Sequence, residues 1–532
     1  MTESERHDVI VVGAGFAGLY GVYRLRNDGW DVLGIERGSD VGGVWYHNRY
    51  PGARCDTLSV EYSYSFCEEL EQEWTWSERY PPQAEILTYM QHVAERFDLR
   101  RSFVFDTRVT GLTRNDETGL WTVETNTGKR YSARFVLLAT GPLSAPADPG
   151  FAGMDQFKGE LYRTSSWPHD PVSFAGKRVG VIGTGSSGVQ SIPEIAKTAG
   201  HITVLQRTPS YSVPARNREM TPEEISGVKQ NYREYRRDLR ANYAGLTMET
   251  TGKPAAESSK EEQRQFLDRI FAKGSLGIVS AFADVLFDEE ANEVVAEYVR
   301  ERIRERVKDP ATAEKLIPKT YPIGTKRPCL DSGYFEVFNQ PNARLVDLQE
   351  TPIERFTETG IQTSAEHHDL DMIVLATGFD ALTGALLAID PVNGKGERLS
   401  DAWRDGPETD LGLAAAGFPN LFLISAAGGA SVFANMVTVG EEAIDWVAEA
   451  LAWMKAEGLE TMEAQFAAQE EWTSHVTEVG NMSLLPRTNS WYVGANIPGK
   501  PRSFSVYLGG LNVYIEKCRD VAAKGYEGFV AR

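Results

Sequence analysis

The sequence predicts an α/β protein built on two Rossmann-like dinucleotide-binding domains, with a helical insertion in the second. Three observations carry that expectation. A strand, a Gly-x-Gly-x-x-Gly loop and a helix follow one another twice, around residues 13 and 183. Each unit is followed by a buried strand ending in Ala-Thr-Gly, at 139–141 and again at 376–378, so the architecture itself looks duplicated. A charged stretch of helical periodicity separates the second unit from its Ala-Thr-Gly. Short apolar runs alternating with helices indicate parallel sheets.

Taken in order, Asp8–Val12 reads as a strand, about Phe16 to Arg26 as a helix, and Asp31–Glu36 as the returning strand. Residues 104–140 alternate in period two, as in Trp121-Thr122-Val123-Glu124, and end in the apolar run Phe135–Ala139. That predicts a small antiparallel insert leading back to a buried strand. Lys177–Ile182 and His201–Arg207 repeat the first unit, with Pro193 expected to kink the helix between them. Residues 219–312 are rich in Glu, Arg and Lys with apolar residues at helical spacing, as in Ala296–Ile303, and read as solvated helices rather than a nucleic-acid surface. Asp371–Gly378 closes the second unit, and 440–532 reads as helices and loops packed back on the first.

At 532 residues the chain exceeds what one hydrophobic core usually supports. A formal net charge of -20 repels phosphate backbones and anionic lipid, so no nucleic acid or membrane is expected as a partner and any cationic site must be local. Cys55, Cys67, Cys329 and Cys518 are too scattered for a disulfide framework or a metal knot, which suits a reducing cytoplasm. The start MTESERHDVIVVG lacks the pattern of a secretory signal, and supports the same cytoplasmic expectation. Residues 411–440 carry no charge, but Gly417-Phe418-Pro419-Asn420 and Gly428-Gly429 break them into pieces far shorter than the ~20 residues of a membrane span. They read as buried strand, turn and helix start.

The chemistry lies in the two glycine loops. Gly13, Gly15 and Gly18 follow a strand and open a helix, so backbone amides and the helix dipole can meet a pyrophosphate. Glu36, 18 residues beyond Gly18, ends the next strand, where a carboxylate accepts the ribose hydroxyls of an adenosine without a 2'-phosphate. At Gly183, Gly185 and Gly188 the next strand ends instead in Arg207-Thr208, a cation and a hydroxyl suited to a 2'-phosphate, hence NADPH. The blander alternatives are a purely structural glycine turn and a solvated strand-end arginine.

Two dinucleotide sites in one chain mean that electrons pass between bound cofactors, which leaves disulfide reductases, other FAD/NAD(P)H reductases and flavin monooxygenases. A disulfide reductase needs a close cysteine pair, and Cys55 and Cys67 are too far apart for one.

The run Gly43-Val44-Trp45-Tyr46-His47-Asn48-Arg49-Tyr50-Pro51-Gly52-Ala53-Arg54-Cys55-Asp56 resembles the motif that Baeyer-Villiger monooxygenases carry after their FAD strand. Phe157–Pro168 resembles their fingerprint FxGxxxHxxxWP, and the likeness runs nearly end to end, through Gly324-Thr325-Lys326-Arg327, Ala376–Asp380 and Trp491–Lys500. It is strongest to the phenylacetone and steroid monooxygenase branch. The resemblance implies FAD-binding parts at 1–145 and 379–532, NADP-binding parts at 146–218 and 319–378, a helical insertion at 219–318, and a mobile loop near 488–502.

It further implies that NADPH reduces FAD, that O2 adds to the flavin as a C4a-peroxide, and that this attacks a ketone to give an ester or lactone, with sulfoxidation as a side activity. An anionic peroxyflavin calls for a permanent cation beside it. Arg327 matches the family's active-site arginine and Asp56 the carboxylate that positions it. To the FAD site the resemblance adds Ala17, Gly43, Val44, Trp45, Asp56, Tyr62, Val109 and Met436. To the NADP site it adds Arg54, Thr184, Ser186, Ser187, Gln190, Lys326, Arg327 and, on the mobile loop, Trp491. Val432, Phe433 and Ala434 form the substrate-side loop, no metal is implied, and a monomer or weak oligomer is expected. Read without the resemblance, Arg327 is also a surface charge beside Pro328, Asp56 a turn residue, and Trp45 and Trp491 core aromatics.

Two positions depart from the pattern. Arg163 stands where the fingerprint has histidine, and Ala426-Ala427-Gly428-Gly429-Ala430 stands where the branch usually has Gly-Pro-Gly-Ser-Pro. The first removes a titrating side chain from the inter-domain linker, and the second is expected to loosen the turn before the substrate-side loop. Both motivate an alternative on the same fold, an uncoupled NADPH oxidase or N-hydroxylating monooxygenase. A non-catalytic nucleotide sensor would need neither Arg327 nor Asp56.

Overall fold

The computed structural model describes residues 4–532, the side chain of Ser431 apart. Its first unit begins with β1 (Glu5–Val12), α1 (Phe16–Asn27) and β2 (Val32–Ile35), close to the expected bounds. β3 (Phe103–Val104), β4 (Val109–Asn115), β5 (Leu120–Thr125) and β6 (Arg130–Leu138) complete the sheet in the order β3-β2-β1-β6-β5-β4. β1 runs parallel to both β2 and β6, while β4 and β5 form the expected antiparallel insert. Val9 and Val11 enter one core cluster and Ile10 and Val12 another. Burial on both faces explains why β1 reads as an unbroken apolar run rather than an alternating one.

The second sheet is wholly parallel. β7 (Glu160–Arg163), β8 (Arg178–Ile182), β9 (His201–Gln206), β10 (Ala343–Asp347) and β11 (Met372–Leu375) lie in the order β10-β9-β8-β11-β7. α2 (Ser186–Ala196) continues as one helix through Pro193. Pro193 is the eighth residue of the helix, inside it as the sequence placed it.

The insertion supplies α3 (Pro222–Arg240), α4 (Lys260–Lys273), α5 (Glu289–Arg306) and α6 (Pro310–Leu316). Thr221 with Glu224, and Ser259 with Glu262, form capping boxes, and Asp288 and Asp309 cap the other two. Each satisfies amides that the first helical turn leaves without partners. Leu267, Ile270, Val295 and Val299 pack in the same cluster as Val179 and Val181 of β8, so the insertion shares the second sheet's core.

The uncharged stretch contains β12 (Leu421–Leu423), which extends the first sheet by pairing with β6, and then turns and the start of α7 (Met436–Glu457). α7 packs on α1, and α8 (Phe466–Asn481) and α9 (Leu511–Ala523) join the first core as expected. Among the described residues no helix is long and apolar enough to cross a membrane.

The chain passes between the two sheets twice, and the two passages bond to each other. Ala147 donates its amide to Gly378, Asp380 to Ala145 and Leu382 to Pro142, at 2.9–3.1 Å.

Candidate active site

The first glycine loop is shaped by close backbone approach. Gly13 has φ +107°, and a Cβ there would meet the Ala139 carbonyl oxygen at 2.5 Å; one on Gly18 would lie 1.9 Å from that of Gly13. Gly15 and Gly43 face each other so closely that a Cβ on Gly43 would sit 2.7 Å from Gly15 Cα. Only residues without side chains allow these contacts. In front of the loop opens a cavity of about 640 Å³ lined by Gly13, Gly15, Ala17, Glu36, Gly43, Val44, Tyr62, Val109 and Met436. Gly18 supports the loop from behind. Trp45 donates its indole N–H to the Tyr62 phenol at 3.2 Å, and neither Trp45 nor Asp56 lines this cavity.

Glu36 is buried at the floor of this cavity, accepting the amides of Ala14 and Gly38 at 2.7 Å each. Burial opposes its charge, yet His47 and the two amides hold the carboxyl below its ordinary range. An ionised carboxylate offers about four acceptor positions, so two remain for a ligand.

In the second loop Gly183 has φ +106°, with the Ala376 carbonyl oxygen 2.3 Å from where a Cβ would stand; Gly185 faces open space. Thr184 donates to the Thr208 carbonyl at 3.0 Å, and Ser187 shares a hydrogen bond with Thr164 at 3.1 Å. Ser186 lies 3.6 Å from the Cys329 sulfur. Neither Arg207 nor Lys326 has a carboxylate partner among the described residues. Lys326 sits over the Tyr321 ring at 4.8 Å, and burial, then the charge of Arg207, lowers its pKa. Two unneutralised cations side by side in a chain of charge -20 are a place for an anion.

The two units meet at 50–56. Gln190 of α2 accepts from the Tyr50 hydroxyl at 2.8 Å and donates to the Arg54 carbonyl at 3.1 Å. Arg54, expected beside the second cofactor, donates from Nη1 to Glu78 at 2.7 Å and to the Tyr80 carbonyl, two bonds that leave its Nε and Nη2 groups unused.

Asp56 and Arg327, 271 residues apart, form a two-point pair: Nε to Oδ2 at 2.7 Å and Nη2 to Oδ1 at 2.8 Å. Arg327 Nη1 donates to the Val432 carbonyl at 3.0 Å, tying the pair to the substrate-side loop. Both side chains lie deep among surrounding atoms yet keep 28 % and 22 % of their surface open, as groups do on the wall of a cleft. Burial works against both charges, but each sustains the other: the Asp56 carboxyl is held below its ordinary range and the Arg327 guanidinium is pushed further up. Of five guanidinium N–H groups, three are spoken for by these bonds, which leaves two for a ligand.

Trp491 is half-buried at the start of a short 3-10 turn, and it is its neighbour Tyr492 that is fully buried beside Arg327. Burial, chiefly, raises the phenol's pKa, with Arg327 opposing and Asp56 adding. Phe433 packs on the Tyr492 ring at 4.7 Å, and Ala434 is buried behind it. Thr325 and Thr488 share a hydrogen bond at 2.7 Å. Tyr492 was not singled out from the sequence. It lies next to Trp491 in the quoted motif, and spacing alone does not tell which of two adjacent aromatics turns inward.

Arg163 ends β7 opposite Leu375, directly before Thr164 and its bond to the second glycine loop. The 426–430 turn, expected to be loosened, is fastened from several sides. Thr409 donates to the Ala427 carbonyl, Trp472 to that of Gly428 and Tyr507 to that of Gly429, while the Gly428 amide donates to Ser505. These bonds restrain it where two prolines are missing. Next to Thr409, Asp410 is buried and its carboxyl is pushed up to about 7, by burial first, with Lys517 opposing and Glu471 adding.

Comparison with known proteins gives a consistent result. A family described as flavin-binding monooxygenase-like matches residues 6–226. A Baeyer-Villiger monooxygenase of Pseudooceanicola batsensis is 39 % identical over 98 % of this chain and 96 % of its own length. Cyclopentanone 1,2-monooxygenase of a Comamonas strain is 40 % identical over 99 % and 96 %. Among solved structures, oxidised steroid monooxygenase bound to NADP superposes with a TM-score of 0.95 at 48 % identity, over 99 % of both chains. OTEMO in complex with FAD and NADP superposes with a TM-score of 0.96 at 39 % identity, over the whole of both.

Proposed function

The chain belongs to the Baeyer-Villiger monooxygenase family, and from that membership we propose how its own residues divide the work. The protein is an FAD-dependent oxidoreductase that uses NADPH and O2 to oxidise a ketone to an ester or lactone. The residues present suit both cofactors. An extended cavity bounded by Gly13, Gly15 and Gly43, with Glu36 still able to accept hydroxyl protons, fits the adenosine diphosphate of FAD. The unneutralised Arg207 and Lys326 fit the 2'-phosphate of NADPH.

Bound FAD, reduced by NADPH, supplies the activated oxygen that enters beside the ketone carbonyl. Everything else falls to the protein. Arg327 presents a charge that does not titrate at working pH to the oxygen on which negative charge develops. Asp56 fixes the plane of the guanidinium through two parallel bonds, so the remaining N–H groups point one way without reorganisation. Val432, as the third acceptor, couples that orientation to the loop on which the substrate rests. Trp491 and Tyr492, brought in by the 488–502 loop, keep water from the reacting oxygen.

The observation that carries this reading is the Arg327–Asp56 fork, bonded to Val432 of the substrate-side loop and adjacent in the chain to Lys326. The four scattered, unbridged cysteines support a cytoplasmic setting, and we expect a monomer or weak oligomer. The test is a mass balance of NADPH consumed, peroxide released and ester formed with phenylacetone, cyclohexanone and a progesterone-like steroid. Arg327→Ala should cut ester formation by ~100-fold or more while NADPH still bleaches the flavin. Retained ester yield would overturn the role of Arg327. Peroxide equal to NADPH with every ketone in the unmodified enzyme would favour the uncoupled oxidase.

A further inference from the structure

The loop that carries Trp491 and Tyr492 is tied down at a place that none of its chemistry requires. Lys500 donates its ammonium to the Asp380 carboxylate and, at 3.1 Å, to the Ala381 carbonyl. Asn496 donates to the Phe379 carbonyl at 2.8 Å. All three acceptors belong to the second passage between the two sheets. Lys500 and Asp380 are only 14 % and 28 % exposed, so the pair is shielded from solvent more than an ordinary surface ion pair.

That passage touches three things at once. At Ala376 its carbonyl oxygen closes on Gly183 of the second nucleotide loop. At Phe379 it lines the cavity of the first unit. At 378–382 it bonds to the opposite passage through Ala147, Ala145 and Pro142. The 488–502 loop therefore rests on the segment that must bend whenever the two nucleotide units change their relative position. Its opposite end reaches Arg327 through Tyr492 and Thr325 through Thr488.

We propose that the Lys500–Asp380 pair is a latch that holds the 488–502 loop to the double passage, and thereby sets how firmly NADP is retained and how little reducing power escapes as peroxide. The inference rests on the function proposed above. Lys500 and Asp380 are positioning residues that act through the loop and take no part in the transfer itself. With one partner removed, a partly buried charge is left alone and the loop opens more often. The bond between Thr325 and Thr488 still guides it back.

The experiment uses the FAD-loaded full chain and three variants: Asp380→Asn, Lys500→Met and the double exchange Asp380→Lys/Lys500→Asp. Chymotrypsin, which cuts beside Trp491 and Tyr492, reports loop opening; titration with NADP+ reports retention; the ratio of peroxide to NADPH reports coupling. The single variants should be cut faster and bind NADP+ about tenfold more weakly, with a higher peroxide fraction. Flavin reduction at saturating NADPH should stay within about twofold, and the exchange should restore much of the protection. Unchanged cleavage and NADP+ affinity in both single variants would overturn the latch, as would an exchange variant no better than the singles. An unmodified enzyme whose flavin NADPH does not reduce would strike the proposed function instead, and the cleavage comparison would still decide the latch.

Discussion

Arg207 and Glu36 do opposite work at equivalent positions, the ends of the second strands of the two units. One leaves an unneutralised cation beside Lys326, the other a carboxylate pinned by two amides. Arg207→Ala should therefore raise the KM for NADPH by about 10- to 100-fold, the worth of a charge-assisted hydrogen bond, while NADH changes little. Steady-state kinetics with both nucleotides checks this, and equal loss with both would show that Arg207 does not read the phosphate. Asp410 carries a pH dependence of its own. Its folded carboxyl titrates near 7, above the unfolded value near 4, so between those values the folded state holds a proton that the unfolded state has lost. Stability then falls as pH rises, by up to about 1.4 kcal/mol per unit, and levels off above pH 7. Asp410→Asn should be the more stable protein at pH 8, with the gap in melting temperature shrinking towards pH 5. A gap that does not vary with pH would refute the assignment.

At the level of strands and helices, both glycine loops leave no room for a side chain at their first glycine. Gly183→Ala would force φ +106° on a side-chain-bearing residue and press its Cβ into the Ala376 carbonyl. NADPH affinity should drop on the order of 10- to 100-fold while the protein remains yellow, measured by flavin bleaching against NADPH concentration. Loss of FAD as well would mean the strain spreads between the units. Both strand-loop-helix units were legible in the sequence because their signals are local: apolar runs, fixed glycine spacing and strand-end charges within some thirty residues. The helix around Pro193 was legible in the same way, and α2 runs through it. The bonds that hold the 426–430 turn were not legible, because they come from Thr409, Trp472, Ser505 and Tyr507, none of them near in sequence.

Over the whole molecule, the centre of the cleft was the part that residue spacing could not reach. Asp56 and Arg327 are far apart along the chain, and only the resemblance paired them in advance. The inward turn of Tyr492 and the grip of Lys500 on Asp380 depend on how the C-terminal segment returns, and no periodicity encodes that. Arg54 was matched by motif to the second cofactor, and a motif does not show that its Nη1 also bonds Glu78 and the Tyr80 carbonyl.

The two cores also differ in when they can close during synthesis. Every buried member of the core around β8 lies between residues 80 and 376, so that unit is complete once the middle of the chain has left the ribosome. The core beneath α1 requires α7, α9 and Phe529. At roughly 5–20 residues per second, its first strands wait on the order of 20–80 s for the segment that covers them. During that wait the apolar face of α1 has no native partner, and the nascent chain offers a chaperone the surface that α7 later takes.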